Sequence, residues 1–153
     1  MDAPSMSAPT APDPTGATTH VGMLAVLITA DGGIASVTLP ADDIARSDAL
    51  RALVCDTLQL GVLGLGNDYD MWFDPYARDV NTVATRVART YGRDQHAQPG
   101  AALFLAAPAP DGTDRGLDRT SAALLTELAF HAAHEGPLRP EETDGHLHRA
   151  LYG

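Results

Sequence analysis

The sequence predicts an α+β domain: a small, mostly antiparallel sheet of about five strands, order ββαββαβα along the chain, with helices on one face. Three observations carry this. Short apolar or alternating runs adjoin Gly-containing turns, the pattern of hairpins. Two longer stretches repeat apolar residues at helical spacing. Strands and helices do not alternate strictly, which disfavours a doubly wound parallel sheet.

The elements follow in order. Residues 1–22 are mostly Ala, Pro, Thr and Ser, too poor in apolar area to offset chain entropy, and read as a disordered arm. The folded domain spans 23–135, opening with an apolar run, Met23–Thr29, and an alternating one, Ile34–Leu39, joined through Asp31-Gly32-Gly33. Ser47–Val54 carries Ala49, Leu50, Leu53 and Val54 at helical spacing, with Ser47 or Asp48 as cap. Thr57–Leu63 alternates and reads as a strand, Gly64–Asn67 as its turn, and Tyr69–Phe73 as the strand that follows. Asp79–Arg93 is the clearest helix, with Val80, Val83, Ala84, Val87, Ala88 and Tyr91 on one stripe. Ala101–Ala107 reads as a buried strand. Asp118–His134 reads as a helix whose core stripe is Leu124, Leu125, Leu128 and Ala132. Residues 136–153 form a polar tail with room for one short helix near Glu141–Leu151.

Composition excludes several chemistries. All ten basic residues are Arg; without Lys there is no P-loop, kinase lysine or Schiff-base mechanism. The single cysteine, Cys55, excludes intrachain disulfides and Cys-based zinc or iron–sulfur sites, and reads as a small buried hydrophobe. A formal charge of −10 opposes binding to nucleic acid and to anionic membranes, and favours a basic partner. No signal peptide or membrane-length apolar run is visible, so the expectation is a cytoplasmic protein.

Four patterns stand out as candidates for chemistry. Asp68, Asp70, Trp72 and Asp74 share one face of a strand, opposite Tyr69, Met71 and Phe73. They read as a cation site or acid pair, or else as a solvent-facing edge whose aspartates cap turns, with Trp72 as a partner anchor. Arg86, Arg89 and Arg93 form a stripe opposite the apolar one, expected to face solvent as a contact surface or as an ordinary charged face. Glu127, His131 and His134 fall at i, i+4 and i+7, types and spacing a metal accepts, though in no zincin order. Gly61, Gly64 and Gly66 reverse the dinucleotide-binding spacing and fit a hairpin turn better. No catalytic triad and no cofactor motif is found.

From Asp70-Met71-Trp72-Phe73-Asp74 through Val80-Asn81-Thr82-Val83-Ala84-Thr85-Arg86-Val87-Ala88-Arg89-Thr90-Tyr91-Gly92, the chain resembles the domain-of-unknown-function family numbered 3846. Met23–Gly32 and Gln98–Leu105 are similar more loosely, and the likeness covers about residues 23–130. It departs from the family at Asp74–Arg78, where a Gly-containing turn is usual, and in the arm before Met23. The resemblance implies a small α+β protein encoded by actinobacterial phages, plasmids or genomes; it brings no activity and no site residue. The resulting expectation is a non-enzymatic accessory module acting through a protein partner. The alternatives are a metal-dependent enzyme using the Asp or Glu/His cluster, and an acidic DNA mimic that inhibits a DNA-binding enzyme.

Overall fold

The computed structural model describes residues 22–55, 59–92 and 98–136. Residues 1–21 of the expected arm, Thr57 and Leu58 of the expected third strand, the short tail helix and Arg93 lie outside the described residues. The elements are β1 (Met23–Ile28), β2 (Ile34–Leu39), α1 (Asp43–Val54), β3 (Gly61–Leu65), β4 (Tyr69–Phe73), α2 (Thr82–Thr90), β5 (Ala102–Ala106) and α3 (Arg119–Ala133). The five strands form one sheet in the order β2-β1-β5-β4-β3, and every neighbouring pair is antiparallel. This is the α+β class and the element order that the sequence predicts.

The two-residue period of the strands sorts the core into two layers. Val26, Ile28, Leu65, Met71 and Phe104 face one way, against Val83, Val87, Leu125 and Ala129 of α2 and α3. Ala25, Leu39, Leu103 and Leu105 face the other way, against Leu50 and Val54 of α1. The expectation of helices on one face therefore holds for α2 and α3 and fails for α1. The cause is topological: β2 and β3 lie at opposite edges, and α1 connects them, covering the second face. Central β5 is buried on both sides, which explains its unbroken apolar run.

Three local readings also change. Helix α1 begins at Asp43 rather than Ser47, because Asp42 is the cap: its carboxylate accepts the Ala45 N–H at 2.9 Å. Strand β3 runs to Leu65, so the turn falls on residues 66–68, with Gly66 at φ +64, a conformation that favours glycine. On α3 the buried stripe is Ala122, Leu125, Ala129 and Ala132; Leu124 points outward, 51% exposed. Small alanines let α3 lie close to the sheet, and Leu124 falls one residue off that stripe.

Asn81 locks α2 to the sheet. It is fully buried, caps α2 by accepting the Ala84 N–H at 2.9 Å, and donates to the carbonyls of Ile28 at 2.9 Å and Gly100 at 2.8 Å. Thr85 adds a second tie: its hydroxyl donates to the Asn81 carbonyl at 2.7 Å and accepts the Gln98 N–H at 2.8 Å.

Candidate functional site

Among the described residues, α1 covers only part of its side of the sheet, and beside it lies a groove of about 420 Å³. Its floor is apolar: Leu50 from α1, Leu60 before β3, Trp72 of β4 and Leu105 of β5. Its rim is polar. Asp43 and Ser47 come from α1, and Asp111, Thr113 and Asp114 come from the loop after β5. That loop is a tight excursion. Ala109 N–H donates to the Thr113 carbonyl at 2.9 Å, and the Asp111 carboxylate accepts the Thr113 N–H at 2.9 Å. The Thr113 hydrogen bonds hold the Asp111 carboxyl below its ordinary pKa, so it is ionised at neutral pH.

Arg46 closes one end of the groove. Only 4% exposed, it donates to Asp43 at 2.6 Å, to Asp114 at 2.7 Å and to the Ala41 carbonyl at 2.7 Å. One guanidinium thus fixes the start of α1 and the rim loop together, as its planar fork of donors permits. A helix read as starting at Ser47 leaves this residue out. The signal present is Asp42-Asp43 followed at i+3 by Arg46, a helix start with an ion pair on its first turn.

The structure separates the predicted aspartates. Strand β4 lies between β5 and β3, so it is not an edge. The alternation holds: Tyr69, Met71 and Phe73 face α2 and α3, and Trp72 faces α1. Asp74 is fully buried and caps the following turn, its carboxylate accepting the Tyr76 N–H at 2.9 Å. Asp68 is exposed in the β3–β4 turn. Asp70 pairs in register with Leu105 of the groove floor. Burial, and then the negative charge of Asp114, push its carboxyl above the ordinary value. Trp72 thus lines the groove and Asp70 lies beside its floor, while Asp74 caps a turn.

The two described arginines of the stripe, Arg86 and Arg89, do not face open solvent. The Arg86 side chain is 13% exposed; it lies 3.1 Å from Glu135 and donates to the Gly136 carbonyl. Arg86 and Arg89 line a cleft between α2 and α3, with Leu128 and His131. The flank of α2 that helical arithmetic leaves opposite the core is covered by the end of α3. Glu127 and His131 line different clefts on either side of α3, and the His134 Nδ1 lies 2.7 Å from the Phe130 carbonyl. Among the described residues, no three of His, Cys, Asp and Glu group as metal ligands. Cys55 is half-buried against the α1 layer, and its thiol donates to the Gln59 carbonyl at 3.1 Å. No helix of the described residues is long and apolar enough to cross a membrane. In comparisons with known proteins, no family model, curated protein or solved structure matches this chain.

Proposed function

We propose that this chain is a non-enzymatic protein-interaction module that holds a basic, partly apolar segment of a partner protein in the groove beside α1. One observation carries the reading: an apolar floor containing Trp72 lies beneath three carboxylates, Asp43, Asp111 and Asp114. Among the described lining residues Arg46 is the only cation, and two of those carboxylates already contact it. The groove is therefore acidic above and apolar below. A partner Arg or Lys would meet the rim, and its neighbouring apolar side chain would meet the floor. An accessory role on a phage or plasmid is part of the proposal, and it rests on the resemblance across Asp70–Gly92 alone.

Trp72 is the only tryptophan, so its fluorescence reports on the groove directly. Titration with a peptide alternating Arg and Leu is expected to change the emission, with an affinity that weakens as salt rises. Asp111→Asn is expected to weaken that binding several-fold without changing the melting temperature. An equal response to a peptide with Glu in place of Arg, or no response to either, overturns the reading.

A further inference from the structure

Strand β3 is the last strand of the sheet, and among the described strands it pairs only with β4. Among the described residues no strand lies along its outer edge, and an edge of this kind is a template for another strand. Natural edges are usually blunted by charge, proline or a bulge. Residues 59–67 carry no charge and no proline, in a chain whose formal charge is −10. Val62 is 50% exposed and Gly64 is exposed beside it on the same face. The opposite edge differs. On β2 the exposed side chains are Ala35, Ser36 and Thr38, small or hydroxylic, and Pro40 closes the strand.

We infer that β3 pairs antiparallel with β3 of a second copy of this chain, about a two-fold axis at Leu63. The sequence of the strand suits itself. With Leu63 facing Leu63 of the second copy, Val62 of each copy lies beside Gly64 of the other and covers its bare backbone. The two Val62 side chains become diagonal neighbours about 7–8 Å apart. The uncharged strand is the part of this surface that a second acidic copy can approach with least repulsion. Tyr76, exposed and next to the Pro75 that lies against Gly61, extends the contact at the strand's end. Five residues a side make a small interface, so the dimer is weak, with dissociation on the order of micromolar. Two grooves would then lie on the same face of one ten-stranded sheet, because Val62 is the register partner of Trp72.

Sedimentation of the full chain across a concentration series tests this. The weight-average mass is expected to rise toward twice 16.0 kDa, and to rise further with added salt, which screens the repulsion between acidic copies. Groove binding of a basic peptide has the opposite salt dependence, so the two proposals fail separately. Val62→Lys and Val62→Glu are each expected to remain monomeric, since like charges meet on the diagonal, and an equal mixture of the two is expected to restore the dimer. Gly64→Lys is a second route to the monomer: a Cβ there meets nothing nearer than the Asp70 carboxylate at 4.0 Å, so the fold has room for it. Melting temperatures confirm that each variant is folded. A wild-type chain that stays monomeric at every concentration overturns the inference. So do Val62 variants that still dimerise alone, or a mixture that fails to pair.

Discussion

Arg46 and Asp114 stand 68 residues apart in sequence, and their side chains meet at 2.7 Å. The contact joins the first turn of α1 to the loop after β5, the two walls of the acidic groove. Its energetic weight lies on one side. The arginine is buried, whereas Asp43 is nearly fully exposed and Asp114 about half exposed. Removing the arginine frees carboxylates that water can reach; removing one carboxylate leaves the arginine its other partners.

Arg46→Ala is therefore expected to destabilise the fold by about 2 kcal/mol, from lost charge-assisted hydrogen bonds and lost packing of the stem. Arg46→Lys should recover less than half of this, since one ammonium does not reproduce a fork spanning three acceptors. Asp43→Asn should cost under about 0.5 kcal/mol, as for other exposed pairs. Urea denaturation midpoints check the order, and an Asp43 variant as unstable as the Arg46 variant would contradict it.

Asn81 has a sharper signature. Asn81→Ala is expected to cost about 3 kcal/mol: a helix cap near 1 kcal/mol, plus two buried carbonyls left without donors. Asn81→Asp is close in shape but replaces the amide donor with an acceptor facing the Ile28 and Gly100 carbonyls. The folded state can satisfy those carbonyls only with the carboxyl protonated, which raises its folded pKa above the unfolded value of about 3.9. The folded state then binds more protons, so stability falls as pH rises from near 4 through that raised pKa. Denaturation near pH 4 and near pH 7 should show the Asp variant nearer to wild type in acid. A constant deficit would mean that shape, not the donor, is what Asn81 provides.

The sequence carries the strands, their faces and the α2 and α3 helices well, because each has a local period. Met71 and Trp72 point oppositely in both the alternation and the structure. What lies outside local period is where one element sits against another. Nothing near Ser47–Val54 says that its helix crosses to the far face, since this depends on β2 and β3 being opposite edges. Nothing near Arg86 says that Glu135 will cover it. The groove is of the same kind: Trp72 is legible as an aromatic on a polar strand face, but its rim comes from α1 and from a loop some forty residues later.

Asp70 is held half-buried beside the like charge of Asp114, and its folded pKa is raised above 3.8. The sign follows from protons bound. Between the unfolded and the raised folded pKa the native state holds more protons, so this group's contribution to stability declines as pH rises from about 4 through the raised pKa, and the penalty is fully present above it. Asp70→Asn is expected to be slightly more stable than wild type at neutral pH, by under about 1 kcal/mol, and equal to it in acid. Denaturation midpoints over that range measure this. A less stable Asn variant at neutral pH would mean that the carboxylate has a favourable partner.

The two faces of α2 and α3 give a direct contrast. Val87 is fully buried between α2 and the sheet, and Leu124 on α3 is half exposed. Val87→Asp should cost at least about 4 kcal/mol, enough to unfold a marginal domain, because it buries an unpaired charge. Leu124→Asp should stay within about 0.5 kcal/mol of wild type. Far-UV circular dichroism and thermal melts distinguish them; equal damage from both would place Leu124 in the core stripe after all.

Arg86 and Glu135 meet at the end of the α2–α3 cleft. Helical arithmetic puts Arg86 in solvent, where its exchange for Ala would cost little and would not depend on Glu135. The structure instead packs its stem into the α2–α3 cleft with the guanidinium 3.1 Å from Glu135 and also against the Gly136 carbonyl. Arg86→Ala should then cost about 1–2 kcal/mol, since hydrogen bonds to a charged group and stem packing are both lost. Glu135→Ala should cost less, because its side chain is half exposed and the Gly136 carbonyl remains as a partner. A double-mutant cycle should give a coupling of about 0.5–1 kcal/mol that shrinks as salt is added. Strictly additive single mutants would put the guanidinium back in solvent and restore the stripe as an ordinary charged face.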